Sequence, residues 1–424
     1  MVSDKVYSTH TSRRSVLKAA AAIGITQLAS PGIVRAQGEQ TVKIGIDNSL
    51  TGIYAAFGKN ELTGCQLAAD EINSSGGILG RKVELIVEDA SSTNTGLAIQ
   101  KANKLLNSDK VDFLVGNENS AMVLGMAQAA KKKGILHVVP GAHSDEITGS
   151  ACNWNVFRIC STTTMLINAI AKSLIDEYGK NFYFITADYV FGRSLLNSYD
   201  TALKKFGGNN VGVSLPPLGT TDFSSFLIKA AAAKPDVIVL LVGGDDMVNA
   251  LKQFVQFGFD KRFHVAGAQQ ELELLEALPP EARVGSWVFE WYWRQNEVPG
   301  VDKFVSEIKK RTEGKVPTAR HWFGYVAGWT CALAARQAKS LDGEKMARAL
   351  QGMKLPPEVA LMPNDPFYRA AQNQLIASLY VGTAQASGPG GAEDLFKIGK
   401  VVDGATVDKP LEETNCHMEW PTKS

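Results

Sequence analysis

No Gly-x-x-x-x-Gly-Lys-Ser/Thr phosphate loop, strand-linked Gly-x-Gly-x-x-Gly, Gly-x-Ser-x-Gly elbow or His-Glu-x-x-His occurs in the 424 residues. Nucleotide-loop, dinucleotide, serine-hydrolase and zinc-protease chemistry therefore have no motif to rest on. Charge of one sign is also lacking. Forty-four basic residues face 43 acidic ones, net +1, so neither nucleic acid nor an anionic membrane is an indicated partner. Cysteine is scarce, five in all, with no Cys-x-x-Cys pair and no His/Cys spacing that suits zinc. His143-Ser144-Asp145 has the residue types of a catalytic triad, but neighbouring side chains diverge and cannot relay a proton. Nothing here reads as an enzyme, and no cofactor or metal is expected. Apart from the N-terminal segment, no apolar run approaches the ~20 residues that span a bilayer.

That segment reads as a targeting sequence. Thr11-Ser12-Arg13-Arg14-Ser15-Val16-Leu17-Lys18 precedes the mildly apolar 19–29 and the small-residue end Val34-Arg35-Ala36. A basic start, a short apolar middle and a small residue before the cut make residues 1–36 a twin-arginine-type signal peptide. Periplasmic export follows as the expectation. Without it, 39 basic residues stand against 42 acidic ones. In an exported chain cysteines can pair. Cys65 and Cys331 lie in helical patterns and read as small hydrophobes, Cys416 lies in the tail, and Cys152 and Cys160 flank an extended run and can bridge.

What the chain does have is alternation, over a length that implies about two domains. Strand patterns at 42–47, 83–88, 111–115 and 135–139 interleave with helical ones at 57–73, 95–106 and 121–133. A second cycle runs from 163 to 291. Its helices fall at 163–178, 193–206, 223–233, 247–257 and 271–278, and its strands at 182–186, 211–215, 237–242, 263–266 and 287–291. Short links between β and α units predict parallel, doubly wound sheets. Three helices, 301–310, 319–339 and 343–351, follow with no strand between them and should pack back onto the first sheet. A strand pair is expected at 361–366 and 374–383, a mobile Gly-rich loop at 384–391, and irregular chain over 395–421.

Two loops concentrate the polar and small residues: Gly116-Asn117-Glu118-Asn119-Ser120-Ala121 and Pro140-Gly141-Ala142-His143-Ser144. Each follows a short apolar strand, at the carboxyl end where parallel sheets bind ligands. Asn119 or Ser120 can cap the next helix, whose free N–H groups favour a small polar or anionic group. Such a half-site needs a lid from the second half of the chain.

The chain resembles the periplasmic leucine/isoleucine/valine-binding proteins, type I solute receptors of ABC importers, from about Val42 to Val381. The resemblance lies in Lys43–Ile46 with Leu50-Thr51-Gly52, and in Asp70-Glu71-Ile72-Asn73 running into Gly76-Gly77-Ile78-Leu79-Gly80-Arg81. It continues through the two loops above, Phe157-Arg158, Asp188-Tyr189-Val190-Phe191-Gly192, Thr221-Asp222-Phe223 and Pro235-Asp236-Val237. It implies an α/β fold of two doubly wound parallel-sheet lobes joined by three hinge crossings. Lobe one would be 39–157 plus 293–352 and lobe two 158–292 plus 353–424. It further implies a monomer that closes on a small molecule and delivers it to an inner-membrane ABC permease, or, on the same fold, a sensor module.

Carried over by position, the resemblance implies a ligand site of Leu50, Phe57, Asn119, Ser120, Gly141, Ala142, His143, Tyr189, Phe191, Asp245, Gln269 and Gln270. Ser120 with the backbone of Gly141 and Ala142 would hold a carboxylate. Phe57 and Phe191 would be aromatic walls, with Tyr189 and the Gly243-Gly244-Asp245 turn facing them. Two positions depart from the amino-acid receptors, which grip an ammonium with a Thr and an acid. Here His143 stands at the Thr position and Gln269 at the acid position, with Gln270 as the register alternative. A desolvated ammonium needs a charged acceptor, so an aromatic or other small organic acid is the first expectation. His143 would then donate, its pKa raised beside the bound anion. A branched-chain or other amino acid, with Asp245 as substitute acid, and a short amide or urea are the alternatives. The aromatic cluster Trp287, Trp291, Tyr292 and Trp293 reads mainly as packing.

Overall fold

The computed structural model describes residues 41–295 and 297–421, so the expected signal peptide lies outside the described residues. The first alternation is β1 (Val42–Asn48), α1 (Ala55–Ser74), β2 (Val83–Asp89), α2 (Thr95–Lys104), β3 (Phe113–Val115), α3 (Ser120–Lys133), β4 (Leu136–Val139) and β5 (Val156–Arg158). The second opens with α4 (Thr163–Tyr178), β6 (Asn181–Thr186), α5 (Val190–Phe206), β7 (Asn209–Ser214) and α6 (Ser224–Ala232). It continues through β8 (Val237–Leu241), α7 (Asp245–Gln256), β9 (His264–Gln269), α8 (Leu272–Glu276) and β10 (Ser286–Phe289). Helices α9 (Val301–Arg311), α10 (Ala319–Ala338), α11 (Gly343–Leu350) and the one-turn α12 (Pro357–Ala360) come next. The described chain ends with strands β11 (Phe367–Arg369), β12 (Gln374–Ile376), β13 (Leu379–Ala384) and β14 (Phe396–Val402).

Two seven-stranded sheets result, ordered β11-β12-β5-β4-β3-β1-β2 and β14-β13-β10-β9-β8-β6-β7. Six neighbouring strands of the first sheet (β12, β5, β4, β3, β1, β2) and five of the second (β10, β9, β8, β6, β7) run parallel, and β3, β4 and β8 are buried along their whole length. The chain passes between the sheets three times, after β5, after β10 and between β12 and β13. Helices α9 and α10 pack on α1, and α11 packs on β4, so the strandless stretch does return to the first sheet.

The α1–α10 contact is a backbone contact. A Cβ on Gly324 would lie 1.8 Å from the Glu61 carbonyl, and one on Gly64 would lie 2.0 Å from that of His321. Only glycine permits the approach, which sets the first turn of α10 beside the middle of α1. Thr318 and His321 cap that turn reciprocally.

Several local expectations are corrected. The strand placed at 361–366 does not form, because Leu361, Asn364 and Asp365 adopt positive φ and Pro363 and Pro366 cannot donate to a ladder. Phe367–Arg369 pairs with Gln374–Ile376 instead, and the run expected as one strand, 374–383, divides between the sheets at Ala377-Ser378. Strands β11 and β12 thus join the first sheet, although the expected boundaries gave all of 353–424 to the second lobe. The expected irregular tail contains β14, whose alternating Phe396 and Ile398 pack inward while Lys397 and Lys400 face out. Finally, Cys152 pairs with Cys416 across 264 residues, and Cys160 is a buried free thiol. The partner is remote because the tail folds back, with Trp420 against Trp154 and Arg348, and Lys409 on Asp145.

Three outcomes follow. Gly324→Ala should force α1 and α10 apart and cost about 1–3 kcal/mol in denaturant unfolding. Non-reducing peptide mapping should join the Cys152 and Cys416 peptides, and Cys416→Ser should lose about 2–4 kcal/mol. A 152–160 link would refute the pairing. Lastly, burial, then Glu118, pushes Asp47 up to about 8. Its folded-state proton stabilises fully below the unfolded value near 3.8, and that contribution is lost as pH rises through 8. Asp47→Asn should therefore match the parent near pH 4 and exceed its stability at pH 8 by about 1–3 kcal/mol.

Candidate functional site

Carboxyl ends of strands in the two sheets meet across a closed cleft. The Tyr54 and Tyr189 hydroxyls are 2.6 Å apart, and the Asp245 amide donates to the Ile53 carbonyl at 3.2 Å. Asn60 Nδ2 reaches Glu273 Oε1 at 3.2 Å. The close approach at Gly244 requires glycine, since a Cβ there would lie 2.3 Å from the Ile53 oxygen.

On the first-sheet side, Asn119 caps α3 by accepting from the Ala121 amide at 3.0 Å. Ser120 is thereby free of the capping role. Its buried Oγ accepts from the Ser144 amide at 3.3 Å and keeps a proton to donate. The neighbouring loop is held by Arg158, which donates from Nη1 to the carbonyls of Ser144 at 2.5 Å and Ala142 at 3.3 Å. The amides of Ala142 and His143 have no acceptor among the described residues. Beside the α3 N-terminus, these donors form a small electropositive pocket wall.

His143 lies buried between the Phe191 and Phe323 rings, with centroids at 6.0 and 6.3 Å, and its Nε2 lies 2.5 Å from Glu290 Oε1. Burial holds the imidazole below its ordinary value against the pull of Glu290. Burial would raise Glu290, but His143 and the Ser161 amide outweigh it and hold it low. The pair is a neutral imidazole donating to a carboxylate. The rise expected beside a bound anion concerns the liganded site; here desolvation outweighs the upward pull of Glu290.

The centre of the cleft holds a group that the sequence reading missed. Arg320, in the first turn of α10, is 2% exposed. Its Nε donates to Glu271 Oε1 at 2.9 Å, and its Nη1 donates to Glu61 Oε1 at 3.1 Å and to the Gly141 carbonyl at 3.2 Å. The guanidinium carbon stands 4.1 Å from the Phe57 ring centroid. Glu61 also accepts from Asn48, and Glu118 from the Ser49 amide. Burial raises the pKa of Glu61, Glu118, Glu271 and Glu273, the last to about 8. Arg320 itself is raised, because Glu271 and Glu61 outweigh its burial.

Ser120, Gly141, Ala142, His143, Tyr189, Phe191 and Gln270 therefore face this cleft. Gln270 is buried, its Oε1 accepting from the Glu271 amide and its Nε2 unpartnered. Gln269, half-buried, leaves Oε1 unpartnered. Phe57 lies under Arg320, whereas Tyr54 is the residue that meets Tyr189. Asn119 is a cap. Leu50 is half-buried in the loop after β1, its amide on Asp89. Asp245 is exposed at the cleft rim and does not supply a buried acid. A buried acid does stand one residue beyond Gln270: Glu271, which the sequence reading did not single out. Trp287 and Trp291 are packing residues, fully buried and tied to backbone carbonyls.

A signal for Arg320 existed in the sequence. A cation in the first turn opposes the helix dipole, so one that opens a long apolar helix needs acids around it.

Comparison with known proteins agrees with this architecture. The family model described as periplasmic binding protein matches residues 41–389. Leu/Ile/Val-binding protein homolog 7 of Brucella suis is 26% identical over 333 residues, 74% of this chain and 82% of that protein. A crystal structure of a periplasmic binding protein from Burkholderia mallei superposes with TM-score 0.81 at 26% identity, covering 89% of this chain and 98% of that one. An amino acid ABC transporter substrate-binding protein from Pseudomonas fluorescens gives 0.78 at 26%, covering 89% and 99%. A Rhodopseudomonas palustris solute-binding protein in complex with 3,4-dihydroxybenzoic acid gives 0.78 at 22%, covering 88% and 99%, a likeness of fold alone. Among the described residues no helix is long and apolar enough to cross a membrane. With its model matched across both sheets, the chain belongs to the periplasmic binding proteins of the leucine/isoleucine/valine-binding type, non-enzymatic solute-binding proteins with the substrate-binding fold of ABC transporters.

Proposed function

We propose that this protein is an extracytoplasmic receptor that captures a small organic acid between its lobes and hands it to an ABC permease. Export would use the twin-arginine-type segment at 1–36, and the receptor would act as a monomer. The ligand carboxylate would meet the Ser120 hydroxyl, the Ala142 and His143 amides and the Gln270 amide group. Its body would lie among Tyr54, Tyr189, Phe191 and Phe323, an aromatic setting that suits a ring. One observation favours an acid without an ammonium: the Arg320 guanidinium already stands between Glu271 and the Gly141 carbonyl. The acidic side of the cleft is thus served from within.

An amino acid is the second reading, and the unpartnered Gln269 Oε1 and Glu271 Oε2 favour it, since both are acceptors. A short amide or urea would use the same donors with less charge. Hinge closure excludes water and strengthens each of these contacts.

A thermal-shift screen of residues 37–424 against aromatic acids, aliphatic acids, amino acids, short amides and urea tests the proposal. A ligand at about 100 times its Kd adds ~2.7 kcal/mol. An organic acid should stabilise the protein where leucine does not, and Ser120→Ala should weaken that ligand about tenfold. Stabilisation by amino acids alone would overturn the organic-acid reading.

A further inference from the structure

Arg320 is placed where a helix least favours a cation, in the first turn of α10, and where solvent cannot compensate it. Two carboxylates from different sheets hold it, Glu61 on α1 and Glu271 beside β9, together with the Gly141 carbonyl and the face of Phe57. The cage is richer in acceptors than one guanidinium needs. Glu271 Oε2 and Glu118 Oε1 are buried and unpartnered, on residues 2% and 6% exposed. Gly141 is fitted to its occupant, since a Cβ there would lie 2.1 Å from Arg320 Nη1 and 2.4 Å from Glu61 Oε1.

We infer that Arg320 is the residue that sets the charge of the ligand: a built-in cation that fills the carboxylate-and-carbonyl cage of the cleft and so excludes ammonium-bearing solutes. Two consequences follow from electrostatics. With the guanidinium present, a ligand ammonium would have to share Glu271 with a fixed cation a few ångströms away, which is repulsive in a water-excluded site. With it removed, burial favours protons on Glu61 and Glu271, and an alkylammonium seated between them, the Gly141 carbonyl and the aromatic ring would take over the guanidinium's part in holding them ionised. The inference rests on reading the cleft as the ligand site.

The test uses matched probes that differ only in an α-ammonium: 3-phenylpropanoate with phenylalanine, and 4-methylpentanoate with leucine. Calorimetry on the wild type, Arg320→Lys and Arg320→Met gives the acid-to-amino-acid affinity ratio for each. The ratio should hold in Arg320→Lys, move about tenfold or more toward the amino acid in Arg320→Met, and lose that gain when Glu271→Gln is added. Should Arg320→Met leave too much buried charge to fold, Arg320→Met/Glu61→Gln removes one carboxylate and carries the same comparison. An unchanged ratio in a folded variant overturns the inference. A wild type that prefers amino acids, with the ratio still moving on substitution, would overturn the proposed ligand class and leave the role of Arg320 standing. If no probe binds, Tm decides. Millimolar methylguanidinium or ethylammonium should raise the Tm of Arg320→Ala by several degrees and leave the wild type unmoved, and equal effects on both would overturn the inference.

Discussion

Ionising groups inside a protein is expensive, at several kcal/mol per ion, unless partners and hydrogen bonds offset the lost water. The interior of this cleft is organised around that constraint. Arg320 is tied to both sheets at once, through Glu61 and Glu271, and everything nearby serves to keep the tie short. The glycines of the α1–α10 contact bring Glu61 under it, Gly141 makes room beside it, and Phe57 covers its face. His143 and Glu290 make a second link, in which a neutral imidazole avoids adding another buried cation to Arg320 and Arg158.

Much of the architecture could be read from the chain. The periodicity over 163–178 coincides with α4 residue for residue, and the change from apolar to small polar residues marks the loops after β3 and β4. Those features are local: a period, a cap, a turn. Asn119 capping α3 is local in the same way. What escaped is long-range. Arg320 meets Glu61 across 259 residues and Glu271 across 49, and no window on the sequence contains such a set. Glu271 escaped in the same way: a buried Gln and a buried Glu sit side by side at 270–271, and only the cleft shows that the Glu meets Arg320.

The same distinction separates fold from specificity. The two sheets follow from βα alternation, the three crossings are implied by the family resemblance, and the fold is shared with receptors of dissimilar solutes, among them a solute-binding protein in complex with 3,4-dihydroxybenzoic acid. Choice of solute depends on a few side chains at strand ends. Here they are unusually polar for a buried surface: six carboxyl groups, Asp47, Glu61, Glu118, Glu271, Glu273 and Glu290, share the interior with two guanidiniums, Arg320 and Arg158, and one imidazole. Such a set has narrow tolerance for added charge, which is a basis for discrimination.

The folded-back tail bears on mechanics. Strand β14 belongs to the second sheet, yet the chain beyond it is bolted by Cys416 to Cys152, in the connection leading into β5 of the first. Three linkers alone would let two bodies bend, twist and slide about one another. A covalent fourth tie, braced by Lys409 on Asp145 and by the tilted contact of Trp154 with Trp420, would oppose torsion and shear more than bending. For a clamshell that opens and closes, such a tie would act as a pin through the axle and leave the jaws one path to follow.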